Sequence, residues 1–129
     1  MSDYVLDASA LLALVHGEPG AERVRAVLGR AAISAINLAE VGGRLSERGG
    51  AAGDIRCGLD RLRLTVLPVD EELGYAAGFL RPAPRRFGLS LGDRICLALA
   101  LRLGATALTA DRAWPHAATD ARIELLRSS

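Results

Sequence analysis

The chain contains no lysine; all 16 of its basic residues are arginine. That absence excludes mechanisms that need a Schiff base, a lysine general base or the lysine of a P-loop. Genome base composition is sufficient to produce such a bias. If a polyanion is bound, local arginine patches must hold it, because a net charge of +1 supplies no bulk attraction. Cysteine is scarce as well. Cys57 and Cys96 lie far apart in apolar helical contexts, which argues against a disulfide framework and leads to the expectation of a reducing, cytoplasmic compartment. No run approaches the ~20 apolar residues of a membrane span. Acidic Asp3 and Asp7 come at once, where a signal peptide would carry basic residues ahead of an apolar segment.

What is present is material for a core. Half of the 129 residues are apolar, and a chain of this length is expected to form one domain, residues 1–129, burying roughly two-thirds of its unfolded surface. Strand-like and helix-like stretches alternate. Tyr4-Val5-Leu6 reads as a buried strand, and Ala8 to Val15 as a helix. After the turn at Gly17-Glu18-Pro19-Gly20, a helix is expected through about Arg30. Ala31-Ala32-Ile33 follows as a strand, and Ser34 as the N-cap of a helix striped by Leu38, Val41 and Leu45. Gly42 and Gly43 inside that helix suggest that something packs closely there. Ile55, Leu59 and Leu62 mark another helix, and Leu64 to Leu67 a strand. Asp70 caps the next helix, and residues 81–88, with three arginines, form a loop. A helix from Ser90 to Leu103, apolar on every side from Ile95 to Leu101, is expected to be buried. Thr106 to Thr109 and Ile123 to Leu126 read as strands, the last at an edge. The alternation gives an α/β fold with a central parallel sheet and helices on both faces.

Four acids draw attention, although each has a local explanation. Asp7 and Asp111 lie between a strand and a helix, where aspartate caps well. Ser90 and Asp93 have capping-box spacing, and Glu40 sits one turn before Arg44, a helical ion-pair spacing. Together they point elsewhere. Asp7 and Asp111 both fall at the C-terminal ends of strands, the edge where open α/β sheets collect their chemistry. Asp93 opens an apolar helix that must start against the core. Glu40 projects from a helix that begins just after a strand. Carboxylates gathered there would repel, by about 4 kcal/mol for two charges 4 Å apart at an effective dielectric of ~20. A cation or bound protons must then neutralise them. His16 and His116 flank turns and are read as surface residues, so the donors are all oxygen. That set suits Mg²⁺ or Mn²⁺ and supports phosphodiester hydrolysis by metal-activated water.

The segments Val5-Leu6-Asp7-Ala8-Ser9, Ser34 to Val41, Leu89 to Ala100 and Leu108 to Trp114 resemble the PIN-domain ribonucleases, specifically the VapC-type toxins of bacterial toxin–antitoxin pairs. The resemblance extends over essentially the whole chain. It implies an α/β/α sandwich and a Mg²⁺- or Mn²⁺-dependent endoribonuclease inhibited by a VapB-type antitoxin, with homodimerisation common in such toxins. By position, Asp7, Glu40, Asp93 and Asp111 take the acidic roles. Ser9, Asn37 and Thr109 match polar positions that orient the acids or bound water. Arg85, Arg86, Arg94 and Arg112 are candidates for RNA phosphate contacts, from their nearness in sequence to the acids. The competing reading is a catalytically inactive PIN-like module that binds RNA or protein. A receiver- or phosphatase-like reading is disfavoured, since Asp7 stands alone after the first strand and no lysine exists.

Overall fold

Short apolar runs and well-placed caps divide the described residues into five strands and six α-helices. The structure is a computed structural model that describes residues 2–80, 89–114 and 120–126. In order, the elements are β1 (Tyr4–Leu6), α1 (Ala8–Val15), α2 (Ala21–Val27), a 3₁₀ turn (Leu28–Arg30), β2 (Ala31–Ser34), α3 (Ala35–Glu47), α4 (Ala52–Asp60), β3 (Thr65–Leu67), α5 (Glu71–Gly78), α6 (Leu91–Leu103), β4 (Thr106–Thr109) and β5 (Arg122–Leu125). Asp7, Ser34, Asp70 and Ser90 each cap a helix by accepting a backbone N–H three residues on. Gly104 ends α6 in the left-handed region, at φ +62°, where a side chain would be strained.

All strand pairs are parallel, in the order β3-β2-β1-β4-β5. Alternation along the strands sends successive side chains to opposite faces. Leu6, Ile33 and Leu108 face one way and pack with Leu11, Val24, Val27 and Val41 from α1, α2 and α3. Val5 and Ala107 face the other way, against Leu73 of α5, the buried run of α6 and Trp114. Helices therefore cover both faces, and the expected α/β/α sandwich on a parallel sheet is observed. The chain winds outward from β1 through β2 to β3, then returns to place β4 on the other side of β1. That reversal opens a crevice between the C-terminal ends of β1 and β4.

Four expectations need correction. Nothing lies within 4 Å of where a Cβ would stand on Gly42 or Gly43, so no close packing explains them. The buried run of α6 stops at Ala100, and Leu101 is 42% exposed. Cys57 is exposed on α4, while Cys96 is buried in α6. The helix through Ile55 and Leu59 stops at Asp60, short of Leu62. The arginine-rich stretch 81–88, with Arg85 and Arg86, lies outside the described residues, as does His116.

Arg102 of α6 donates to both carboxylate oxygens of Asp70, at 2.9 and 3.2 Å, tying the start of α5 to the end of α6 and holding the Asp70 carboxyl below its usual range. At β2 the cap is buried. Ser34 is fully shielded, so Ser34→Ala is expected to lower stability by about 1–2 kcal/mol through loss of the α3 cap. Denaturant unfolding checks this, and a midpoint equal to that of the wild type contradicts it.

Candidate active site

The strand register sets the site. Leu6 pairs with Ile33 on one side and Leu108 on the other, so the next residues along the three strands are Asp7, Ser34 and Thr109. Those three and Asn37 are the buried polar or charged residues among the described ones, and all four stand at this edge. A buried polar group is costly unless hydrogen-bonded, and two small networks satisfy them.

The first surrounds Asp7. Its carboxylate accepts from the Ala10 N–H at 2.8 Å, from Ser9 Oγ at 2.8 and 2.9 Å, and from Thr109 Oγ1 at 2.6 Å. Behind each hydroxyl stands a backbone donor: Ala110 N–H donates to Ser9 Oγ at 2.9 Å, and Asp111 N–H to Thr109 Oγ1 at 3.0 Å. Each hydroxyl thus receives from the chain after β4 and gives to Asp7, which aims its single proton. Asp111 accepts from Ala113 N–H at 2.9 Å, capping the turn that follows.

The second network runs from β2 to α6. Ser34 donates to Asn37 Oδ1 at 2.7 Å, which fixes the Asn37 amide so that its nitrogen donates to Glu40 Oε1 at 2.9 Å and to the Gly92 carbonyl at 3.1 Å. Asp93, one residue further, closes the expected capping box: its Oδ2 accepts from Ser90 N–H at 2.9 Å. Sequence reasoning missed Gly92. A Cβ there would overlap Glu40 Oε1 and stand 2.9 Å from Glu40 Cδ and 3.0 Å from Oε2. The available signal was a glycine in the first turn of a helix, where alanine is favoured by ~1 kcal/mol.

Asp7, Glu40, Asp93 and Asp111 all line one cavity of about 370 Å³, together with Ser9 and Asn37. Thr109 sits beneath its wall, fully buried. Arg44 also lines the cavity, and the expected Glu40–Arg44 ion pair is not among those formed by the described residues. Arg94 is half-buried in α6 and Arg112 is exposed beyond Asp111; neither contributes to the cavity lining. Among the described residues no three His, Cys, Asp or Glu side chains are gathered closely enough to hold a metal ion. The acids share a cavity without meeting at one point, and three of them are engaged with backbone N–H groups.

At Asp7, burial matters much more than repulsion from the other acids. Asp7 is 4% exposed, and desolvation pushes its pKa up from 3.8 to about 6; the hydrogen bonds from Thr109, Ala10 and Ser9 oppose this, and the Asp93 charge adds the smallest contribution. Burial also raises the Cys96 thiol, helped by the charges of Asp7, Asp93 and Glu40. No ion pair among the described residues involves Asp7. A buried carboxylate with no ion-pair partner among the described residues, in a cavity whose other acidic groups are also oxygen donors, fits a hard divalent cation in chemistry.

The folded chain holds the Asp7 proton more tightly than the unfolded chain does. This contribution to stability is therefore complete below pH 3.8 and lost as pH rises through about 6. The shift corresponds to roughly 3 kcal/mol. In EDTA, Asp7→Asn should gain on the wild type by about that amount between about pH 4 and about pH 8. Unfolding free energies measured across this range check it, and a difference independent of pH contradicts it.

The PIN domain family profile matches residues 4–120. Comparison with curated protein sequences finds no match. Among solved structures, the chain is similar to a chain of DNA-bound VapBC from Salmonella typhimurium (20% identity, 98% of this chain and 100% of that one, TM-score 0.74). It is also similar to a chain of VapBC2 from Rickettsia felis bound to a promoter DNA fragment (18% identity, 96% and 98%, TM-score 0.72). A third likeness is to a chain of VapBC-1 from nontypeable Haemophilus influenzae (20% identity, 95% and 97%, TM-score 0.68). At these identities the likeness is one of fold. The profile match covers most of the chain, and the chain belongs to the PIN domain family.

Proposed function

We propose that this chain is a metal-dependent endoribonuclease, the toxin of a VapBC-type toxin–antitoxin module working in the cytoplasm. The observation that carries the reading is the buried Asp7, without an ion-pair partner among the described residues, in a cavity lined by three further acids. PIN domains are generally nucleases, and the fold neighbours come from VapBC assemblies. Asp7, Asp93, Asp111 and Glu40 would hold Mg²⁺ or Mn²⁺. When bound, the ion supplies charge that activates water and stabilises the leaving oxygen.

The chain's own residues do the rest. Ser9 and Thr109 keep the Asp7 carboxylate in one orientation and link it to the backbone that carries Asp111. Asn37 keeps Glu40 at the cavity wall. With no lysine in the chain and no histidine among the described residues that line the cavity, a carboxylate would take the proton from the attacking water. Arg44, which lines the same cavity, would meet an RNA phosphate; Arg94 and Arg112 stand outside that lining. For the antitoxin, an apolar cavity of about 380 Å³ lies between α1, α2, α3 and α4, lined by Leu14, Val15, Leu28, Leu45, Ile55 and Leu59. Its lining draws on α2 and the 3₁₀ turn after it through Arg25 and Leu28, and on α4 through Ile55 and Leu59.

The purified chain should cleave a generic RNA with Mg²⁺ or Mn²⁺ and stop in EDTA. Asp7→Asn and Asp93→Asn should each lower cleavage roughly a hundredfold or more with the fold intact. Arg44→Gln should reduce the slope of log binding against log salt by about one. RNA binding without metal-dependent cleavage would favour the inactive binding module. Full cleavage by both Asn variants would refute the site.

A further inference from the structure

We infer that Gly92 is a positioning residue for Glu40: the side chain it lacks is the space that the Glu40 carboxylate occupies. The inference rests on the assignment of Glu40 to the reaction site. Gly92 lies in the first turn of α6, and its φ is outside the left-handed region, so backbone freedom does not explain a glycine there. An alanine would favour the helix. The other helical glycines, Gly42, Gly43, Gly53, Gly58, Gly74 and Gly78, have nothing within 4 Å of an added Cβ. At Gly92 the added atom meets all three terminal atoms of Glu40.

The approach is fixed from the other side as well. The Asn37 side-chain nitrogen donates to Glu40 Oε1 at 2.9 Å and to the Gly92 carbonyl at 3.1 Å, so one amide clasps α3 to α6 across the gap. Ser34, buried at the end of β2, holds that amide's orientation. Adding one methyl group at Gly92 displaces the carboxylate and breaks the Asn37–Glu40 bond while leaving the Ser34–Asn37 pair untouched.

Gly92→Ala tests this by three readouts. The melting temperature should be equal to or above that of the wild type. The Asn37 side-chain amide resonances should shift in NMR spectra recorded without metal. Mn²⁺ affinity by calorimetry and RNA cleavage should both fall about tenfold or more. In a Glu40→Ala background, adding Gly92→Ala should bring no further loss of cleavage. Unmoved Asn37 resonances, or an equal further loss in that background, would overturn the inference. Should Gly92→Ala fail to fold, the Glu40→Ala/Gly92→Ala double variant must fold; unfolding of both would also overturn it. If the wild type neither binds Mn²⁺ nor cleaves RNA, the nuclease reading fails while the NMR comparison still decides the role of Gly92.

Discussion

A carboxylate stands at the end of the first strand, almost wholly shielded from water, with no cation paired to it among the described residues. Burying an ion this way is among the costliest things a fold can do. Three neighbours donate hydrogen bonds to Asp7, yet desolvation still holds its pKa near 6. The surrounding edge is built to tolerate that charge. Ser9 and Thr109 direct their protons at it because the Ala110 and Asp111 amides already occupy their acceptor side. The same bonds hold the chain after β4 against the start of α1, so the position of Asp111 depends on Asp7.

The fold explains why the charge is there. In the order β3-β2-β1-β4-β5 the sequence of parallel strands reverses at β1, which sets the crevice at the C-terminal ends of β1 and β4. Leu6, Ile33 and Leu108 bury themselves in register, and the polar residues one step beyond are aligned in consequence. The α6 helix is apolar through its middle, and its packing against the sheet brings its first turn, with Gly92 and Asp93, to the same edge. Two rigid networks, one on Asp7 and one on Asn37, then hold the acids around a cavity without drawing them together. Such an arrangement is preorganised, and under the proposed function a divalent ion would supply the counter-charge that Asp7 lacks among the described residues.

Much of this was legible in the sequence because it is local. Strand ends, the N-caps Asp7, Ser34, Asp70 and Ser90, and the stop at Gly104 follow from residue chemistry within four positions. The acids became visible through their recurring placement at element ends. What stayed hidden is tertiary. Gly42 and Gly43 drew attention within the helix that holds Glu40, yet the contact that matters is made by Gly92, on a different helix. Arg44 read as a partner of Glu40 because helical spacing allows the pair; in three dimensions it faces the cavity instead. The raised pKa of Asp7 depends on depth of burial, which a pattern of residue types does not encode. Leu101 read as core since composition cannot tell the last buried turn from the first exposed one.

The central claim is that Asp7 is ionised reluctantly and that a divalent cation removes the reluctance. Titrating the Asp7 carboxyl by carbon NMR, without metal and with saturating Mg²⁺, tests it most directly. A midpoint near 6 without metal, moving below the ordinary aspartate range when Mg²⁺ is added, is the result expected. An ordinary midpoint without metal, or one that Mg²⁺ leaves in place, would contradict the account.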